Sequence, residues 1–318
     1  MEIAVSIPAY KVSKQILPLL AKIGPEVKAI FVVDDACPEG SGKLVEKECH
    51  DPRVKVIFQE KNSGVGAATL RGFHEAEKAG FAILVKLDGD GQMDPSFIRF
   101  LTKPIREGKA DYTKGNRFYS PRFLAGMPVL RLFGNAGIGF LAKLTTGYWN
   151  ISDPTNGYIA LHSSLLPILE TERISKRYFF ENDLLFRLSL LRAVVVDVPM
   201  KAHYADEKSN LSISHTLVSF PGKFFVRFLK RVVYRYFLRD FHMGTILLLA
   251  GTVLLCAGGG FGAYHWMEST RTGVVASSGT VMLAALPVLL GFQMLTFTLL
   301  FDVLMTPKDP IFPNLENS

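Results

Sequence analysis

Two long apolar stretches in the second half of the chain constrain its fold more than any other feature. They run from Met243 to Trp266 and from about Val274 to Phe301, and neither contains Asp, Glu, Lys or Arg. Crossing the hydrocarbon core of a bilayer takes roughly 20 apolar residues, so each stretch is long enough to span a membrane. Buried helices of a soluble protein are the alternative. With the short connection Met267–Gly273, the two stretches predict a transmembrane hairpin.

A basic, aromatic-rich segment lies directly before the first stretch. It contains Lys223, Arg227, Lys230, Arg231, Arg235 and Arg239 without an acidic residue between them. Such an amphipathic segment is the expected partner of anionic lipid headgroups, and a solvated basic helix is the alternative. The formal charge of +7 therefore does not indicate nucleic acid. Because Lys and Arg concentrate on the cytoplasmic side of spans, we expect residues 1–242 and the tail, 306–318, to be cytoplasmic.

Neither the N-terminal residues nor the cysteines point to secretion. The first ten residues have the alternation of a strand and lack the basic region of a signal peptide. Cys37, Cys49 and Cys256 are too scattered for a disulfide framework or a zinc site. A reducing compartment is the simpler interpretation.

The first 115 residues alternate between strand and helix patterns. That order predicts an α/β fold with a doubly wound, mostly parallel sheet, whose ligands bind at the carboxyl ends of the strands. The predicted strands are Ile3–Ile7, Ala29–Val33, Val54–Phe58, Ala82–Leu87 and Asp111–Lys114, and the predicted helices are Gln15–Ile23, Lys43–Cys49, Val65–Ala79 and Pro95–Arg106.

The segment Lys86–Gln92, at the end of the fourth predicted strand, is the central chemical signal. Asp88 and Asp90 are separated by one residue, and the glycines beside them permit a bend that aims both carboxylates at one point. Hard oxygen ligands of this kind suit Mg²⁺ or Mn²⁺ together with phosphate oxygens. A surface turn is the alternative, but the position after a buried strand favours a site for a metal and a diphosphate.

Two further segments follow predicted strands. Asp35, after the second strand, can accept hydrogen bonds from a nucleobase, or it can build a turn or a helix cap. Asn62–Ala68 opens a helix after the third strand and is similar to a dinucleotide fingerprint, but it lacks the third glycine and follows the wrong strand. We interpret it as a helix start beside the ligand site, with tight packing as an equal alternative.

In this order, the motifs resemble those of inverting family 2 glycosyltransferases, most of all the branch of dolichol-phosphate mannose synthases and bacterial polyprenyl-phosphate glycosyltransferases. The matching segments are Ile7–Tyr10, Val32–Asp35, Asn62–Ala68, Asp88–Gln92, Gly115–Arg117 and Asp153–Tyr158. The resemblance implies a GT-A catalytic domain over 1–215, amphipathic juxtamembrane helices over 216–242 and a two-helix transmembrane hairpin within 243–305. A homo-oligomer stays open.

The resemblance also implies an activity: transfer of a hexose-type sugar, with inversion, from a GDP- or UDP-linked donor to undecaprenyl or dolichyl phosphate, using Mg²⁺ or Mn²⁺, for cell-envelope glycan or glycoprotein assembly. The implied donor residues are Pro8, Tyr10, Asp35, Asp88 and Lys208, the metal ligands are Asp90 and Gln92, and the acceptor-phosphate residues are Arg117, Arg131 and Asn135. The catalytic residues are Asp88, Asp90 and Arg117, together with Glu181, which the sequence itself indicates. Glu181, or alternatively Asp183, lies at the start of a predicted helix and is expected near the acceptor, with a plain capping box as the other interpretation. Asn135 and Lys11–Ser13 depart from the family, which more often has a small hydroxyl residue and an acidic residue there.

An acceptor held by arginines has a physical basis. A phosphate monoester has a second pKa of about 6, so it is largely ionised at neutral pH and can attack without a general base. Arg grips phosphate with two parallel bonds, although the same arginines could form structural salt bridges. The alternative functions are a membrane polysaccharide synthase, whose Gln-x-x-Arg-Trp segment is missing here, a non-catalytic membrane scaffold, and an NAD-dependent oxidoreductase.

Overall fold

A computed structural model of the 318-residue chain describes residues 1–120, 129–201 and 213–316, with the side chains of 129–133 and 213–219 left aside. The chain forms two compact units. The first consists of Met1–Phe228 together with Pro307–Ser318, and the second of Leu229–Thr306.

A seven-stranded sheet forms the centre of the first unit. Its strands are β1 (Ile3–Ala9), β2 (Val27–Asp34), β3 (Val54–Phe58), β4 (Ile83–Lys86), β5 (Tyr112–Asn116), β6 (Ile159–His162) and β7 (Val195–Pro199). Their order is β3-β2-β1-β4-β6-β5-β7. Among the described strands, β6 alone runs antiparallel to its neighbours. The prediction of a mostly parallel α/β sheet is confirmed.

Helices connect the strands and continue into the second unit. They are α1 (Ile16–Leu20), α2 (Ser41–Glu48), α3 (Val65–Lys78), α4 (Ile98–Leu101), α5 (Lys103–Arg106), α6 (Val129–Thr146), α7 (Phe180–Leu191), α8 (Ile213–Val233), α9 (Met243–Thr272), α10 (Ser278–Leu304) and α11 (Phe312–Leu315). The single helix predicted over Pro95–Arg106 was wrong, because that segment consists of a 3₁₀ turn followed by α4 and α5. Pro104, in the first turn of α5, lacks the N–H that would continue α4.

Alternate side chains of the strands pack into two apolar layers. Val5 and Val32 belong to the layer that also contains Ile16 of α1, whereas Phe31 and Leu84 belong to the layer that contains Phe73 of α3. Sheets covered on both faces have nearly continuous apolar strands, which is why the strand runs were readable in the sequence. The register pairs Ala9 with Asp34, so the parallel strands end along one edge, where the polar residues follow.

Residues 307–316 pack against the sheet of the first unit. The carboxylate of Asp111 accepts hydrogen bonds from the backbone N–H groups of Ile311 and Phe312, each at 2.8 Å. The ring of Phe312, which is 3% exposed, stacks on His162 with 4.2 Å between ring centroids. We call Ile311–Glu316 the C-terminal clasp. It returns the chain to the first unit after the second unit has been completed.

The second unit contains two helices, α9 and α10, that are long and apolar enough to cross a membrane. The helices end differently from the prediction: α9 continues to Thr272, and α10 begins only at Ser278. Gly273 ends α9 with a φ of 72°, and the Ser277 side chain caps α10 by accepting from the N–H of Thr280.

Small residues bring α9 and α10 close together. A Cβ on Gly258 would lie 2.8 Å from the carbonyl oxygen of Ala284, and one on Gly262 would lie 3.2 Å from the Ala284 Cβ. Gly258 and Gly262 have the G-x-x-x-G spacing that permits such a close approach between membrane helices. Near the other end of α10, Asp302 accepts hydrogen bonds from Arg231 at 2.9 and 3.0 Å and from Arg235 at 3.0 Å. This buried ion cluster lies just beyond the predicted span.

Candidate active site

The four described residues predicted for the donor lie at the carboxyl edge of the sheet. Pro8 and Tyr10 lie at the end of β1, and Tyr10 is 42% exposed. Asp35 follows β2, and Asp88 follows β4. Because β2, β1 and β4 are adjacent and parallel, these residues share one edge, as the sequence predicted.

The Asp35 carboxylate holds a distant backbone segment, which is a structural role like the turn or helix cap that was the alternative to nucleobase binding. Its two carboxylate oxygens accept hydrogen bonds from the backbone N–H groups of Ser63 at 2.7 Å and Gly64 at 2.8 Å. The carboxylate thereby fixes the start of α3 against the end of β2. Gly64 has a φ of 99°, and a Cβ there would lie 2.5 Å from the carbonyl oxygen of Lys176. Tight packing therefore accounts for this glycine, and a contact between Asp35 and a base stays a prediction.

The Asp88 carboxylate is held by a lysine that the sequence analysis passed over. Lys86 Nζ lies 2.7 Å from Asp88 Oδ1 and 3.2 Å from Glu181 Oε1, at the start of α7. Burial by itself lowers the pKa of the Lys86 ammonium, but the charges of Asp88 and Glu181 outweigh burial and hold that pKa above its usual value. Lys86 is therefore a buried cation between two carboxylates.

Asp90 and Gln92 offer oxygen ligands beside Asp88. Asp90 is partly exposed and Gln92 is exposed, and Asp90 Oδ1 accepts from the backbone N–H of Gln92 at 3.0 Å. Among the residues that the structure describes, no group of three His, Cys, Asp or Glu side chains could hold a metal. Mg²⁺ commonly binds one or two carboxylates and completes its shell with water and phosphate, so this sparse oxygen set fits it.

Arg117 is engaged by a buried carboxylate. Its Nε lies 2.7 Å from Asp153 Oδ2, and one terminal nitrogen lies 2.9 Å from Oδ1. The Asp153 side chain is fully buried, whereas that of Arg117 is 18% exposed. The structural salt bridge considered for this arginine is therefore present, and its contact with an acceptor phosphate stays a prediction.

The remaining acceptor residues are only partly described. Asn135 lies in α6 and is partly exposed. Arg131 falls in the same helix, but its side chain lies outside the described part of the chain, and Lys208 lies outside the described residues altogether.

Glu181 and Asp183 have different surroundings, although both lie in the first turn of α7. Glu181 accepts from Lys86, as above. Asp183 is fully buried and accepts from the N–H and hydroxyl of Ser175 and from Arg227 at 3.0 and 3.1 Å. Asp183 thus ties α7 to α8, whereas Glu181 belongs to the cluster around Asp88.

A second buried lysine lies near this cluster. Lys114 of β5 is wholly buried, and its Nζ donates to the carbonyl oxygen of Asn156. Burial lowers the pKa of Lys114 to about 8. The only sequence signal for Lys86 and Lys114 was a charged residue inside or at the end of an otherwise buried strand.

Comparison with known proteins gives this arrangement a family context. Residues 4–167 match the family model described as Glycosyl transferase family 2. The chain is 29% identical to the UDP-N-acetylglucosamine–dolichyl-phosphate N-acetylglucosaminyltransferase of Methanococcus voltae, over 63% of this chain and 85% of that one. It is 28% identical to the undecaprenyl-phosphate mannosyltransferase of Micrococcus luteus, over 63% and 83%. It is 32% identical to the polyprenol monophosphomannose synthase of Mycolicibacterium smegmatis, over 62% and 75%.

Solved structures support the fold. Glucosyl-3-phosphoglycerate synthase from Mycobacterium tuberculosis, in complex with Mn²⁺, uridine diphosphate and phosphoglyceric acid, superposes with a TM-score of 0.52 at 18% identity, covering 72% of this chain and 78% of that one. At this identity the likeness concerns the fold, which is the GT-A arrangement expected from the sequence.

Proposed function

The chain belongs to glycosyl transferase family 2 and is therefore an enzyme, and on that premise we propose that it transfers a hexose-type sugar from a nucleotide sugar to a polyprenyl phosphate, with inversion. One observation carries the choice of acceptor. The three named relatives differ in the sugar, N-acetylglucosamine or mannose, yet each name specifies a polyprenyl-type lipid. The acceptor class is thus the common element, and the sugar stays open.

On this proposal the donor occupies the carboxyl edge of β1, β2 and β4. Pro8, Tyr10 and Asp35 border the base, with Lys208 on the diphosphate. Asp90 and Gln92 would hold Mg²⁺ or Mn²⁺, which when bound offsets the charge that develops on the departing diphosphate. Tyr10 is exposed enough to stack on a base, and Asp35 is rigid because two backbone N–H groups already hold it.

The acceptor end needs cations rather than a general base. A phosphate oxygen of the lipid attacks the anomeric carbon on the face opposite the nucleoside diphosphate, so the new C–O bond forms as the bond to the diphosphate breaks. Arg117, Arg131 and Asn135 would position this phosphate. The bidentate pair with Asp153 fixes the Arg117 guanidinium before the phosphate arrives, and such preorganisation favours attack.

We also propose that the two units correspond to a cytoplasmic catalytic part and a membrane hairpin. The C-terminal clasp supports this topology, because residues 307–316 pack into the same compact unit as residues 1–228. A chain that leaves that unit, forms two spans and rejoins it must begin and end its hairpin on one side. The basic residues before Met243 favour the cytoplasmic side.

The direct test incubates membranes containing the protein with radiolabelled UDP- and GDP-sugars and with undecaprenyl or dolichyl phosphate. We expect label in the lipid extract for one donor, in a product that mild acid releases as a monosaccharide. Membranes carrying Asp90→Ala serve as the control. Label in long polymer would favour the polysaccharide synthase, and no lipid product from any donor would refute the transferase proposal.

A further inference from the structure

Three sequence motifs meet at the ammonium group of Lys86. Its Nζ lies 2.7 Å from Asp88 Oδ1, 3.2 Å from Glu181 Oε1 and 3.4 Å from the carbonyl oxygen of Gly157. Asp88 belongs to the turn after β4, Glu181 to the first turn of α7, and Gly157 to the loop before β6. An ammonium has three N–H donors and no acceptor, so these three oxygens match its capacity.

Gly157 supplies the space for this junction. A Cβ at position 157 would lie 2.6 Å from Lys86 Nζ and 2.9 Å from Asp88 Oδ2, closer than real Cβ atoms approach. The backbone of Gly157 does not have the left-handed conformation that would itself require glycine. The need is therefore one of room: any larger residue would push the Lys86–Asp88 pair out of place.

Stability alone is a weak reason for such a junction. Removing charges from water costs free energy, and a buried ion pair often stabilises no more than well-packed apolar residues of the same volume. The Lys86 side chain is 1% exposed, yet that of Asp88 is 28% exposed. The cation thus lies beneath the carboxylate and holds it from below, while part of Asp88 stays open at the strand edge.

We propose that Lys86 is a positioning residue: it fixes the Asp88 carboxylate in the orientation that meets the nucleotide-sugar donor, and it joins Asp88 to Glu181. The inference rests on the proposed function, since Asp88 borders the donor there. Lys86 itself touches no substrate in this assignment. It acts through Asp88, and Gly157 keeps the two groups in contact.

Two substitutions perturb this junction in different ways. Lys86→Met removes the ammonium and keeps most of the side-chain volume, whereas Gly157→Ala keeps all three charges and displaces them. A misplacement of about 1 Å in an active site can lower the rate about a hundredfold. We expect kcat for lipid-linked sugar formation to fall by about tenfold to a hundredfold in both variants, with weaker binding of nucleotide.

Two measurements test this expectation. Initial rates against the donor give kcat and KM separately, and calorimetry gives the affinity for UDP and GDP with Mg²⁺ and with EDTA. Arg53→Met is the control, because Arg53 also forms an ion pair, with Asp51, but precedes β3 at the opposite edge of the sheet. We expect Arg53→Met to lower the unfolding temperature as Lys86→Met does, with a much smaller effect on nucleotide affinity. Lys86→Arg should not restore kcat, because the larger guanidinium would crowd a space in which even a Cβ at position 157 would lie 2.6 Å from Lys86 Nζ.

The outcomes separate this inference from the proposed function. A folded Lys86→Met protein with wild-type kcat and nucleotide affinity would overturn the positioning role. If Lys86→Met does not fold, Gly157→Ala is the deciding variant. Wild-type kcat and nucleotide affinity in Gly157→Ala would also overturn the positioning role. A wild-type protein that binds UDP or GDP without making a lipid-linked sugar would refute the proposed acceptor, and the affinities would still decide about Lys86. Absence of nucleotide binding by the wild type would overturn both.

Discussion

Removing the aromatic ring of Phe312 should open the C-terminal clasp. The ring is almost fully buried against His162, and the backbone N–H groups of Ile311 and Phe312 depend on Asp111 as their acceptor. Phe312→Ala removes the apolar contact and leaves those hydrogen bonds without a packed ring beside them. Because the clasp is a terminal segment, the substitution is expected to release it locally rather than to unfold the sheet.

The expected size follows from the burial of the ring. Truncating a buried Phe to Ala costs about 3–5 kcal/mol. With about 1.4 kcal/mol for each factor of ten, the open population should rise about a hundredfold to several thousandfold, up to the point at which the clasp is open throughout. Amide hydrogen exchange of residues 311–316 should accelerate by the same factor in the regime where reclosing is fast.

The clasp should also respond to pH through His162. Burial lowers the pKa of His162 from 6.5, and the nearby Glu316 carboxylate only partly opposes burial. The closed form therefore binds its proton less readily than the open form. The contribution of His162 to the stability of the closed clasp is therefore fully present above about pH 6.5, and it is lost as the pH falls below that value. Burial raises the pKa of Asp111, so Asp111 contributes to the stability of the clasp in the opposite direction with pH. Comparing the wild type with His162→Gln isolates the contribution of the histidine.

Hydrogen exchange followed by mass spectrometry, on the full chain in detergent or nanodiscs, measures this opening. Phe100→Ala is the control, because Phe100 lies in the same unit but is 48% exposed. If residues 311–316 of Phe312→Ala exchanged their amide hydrogens at the wild-type rate, the clasp would not be what holds the tail. The clasp would then no longer support the proposed topology. Acceleration across the whole sheet would instead mean that the clasp is part of the global fold.

Four further outcomes are expected. Asp90→Ala should abolish sugar transfer without lowering the unfolding temperature, and EDTA should abolish transfer by the wild type until Mg²⁺ or Mn²⁺ is restored. Full turnover in the presence of chelator would refute the proposed metal site. Arg131→Ala should lower acceptor use about tenfold to a hundredfold, since charge-assisted bonds contribute roughly 1.5–3 kcal/mol, while calorimetric donor binding changes far less. Asp302→Asn should destabilise the second unit by about 3–5 kcal/mol, because it leaves buried arginines uncompensated, and an unchanged thermal midpoint in detergent would contradict this. A reporter fused after Ser318 should be cytoplasmic and one inserted at Ser269 should lie on the far side; both on one side would refute the hairpin.

Within the first 115 residues the sequence predicted the strands well, because most of them are buried on both faces and form nearly continuous apolar runs, whereas β6 and β7 were not predicted. Val54–Phe58 was predicted with its observed bounds, and the other four predicted strands differ by at most a few residues. Helix ends were harder, because they depend on single capping residues. The segment before Gly273 continued as helix beyond the prediction, with threonine hydroxyls bonding back to carbonyl oxygens one turn earlier.

The polar contacts of the candidate site and of the C-terminal clasp could not be read from the sequence. Asp183 and Arg227 are separated by 44 residues, Arg117 and Asp153 by 36, and Asp111 and Phe312 by 201. No periodicity specifies which carboxylate meets which cation at such separations, since the fold decides the pairing. Motif resemblance identified one member of several pairs and gave it a ligand-binding role, whereas the structure supplies the protein partner.

On the proposed function, Arg117 would combine a structural and a functional role in one side chain. The Asp153 carboxylate is fully buried, so a phosphate that drew Arg117 away would leave an uncompensated buried charge, at a cost of about 3–5 kcal/mol. On the proposed function, an acceptor phosphate would therefore have to meet Arg117 while the pair with Asp153 persists. It follows that Arg117→Ala would disturb the fold and the acceptor site together, and loss of activity in that variant could not be assigned to either. The titration with Arg131→Ala is the sharper test of the acceptor.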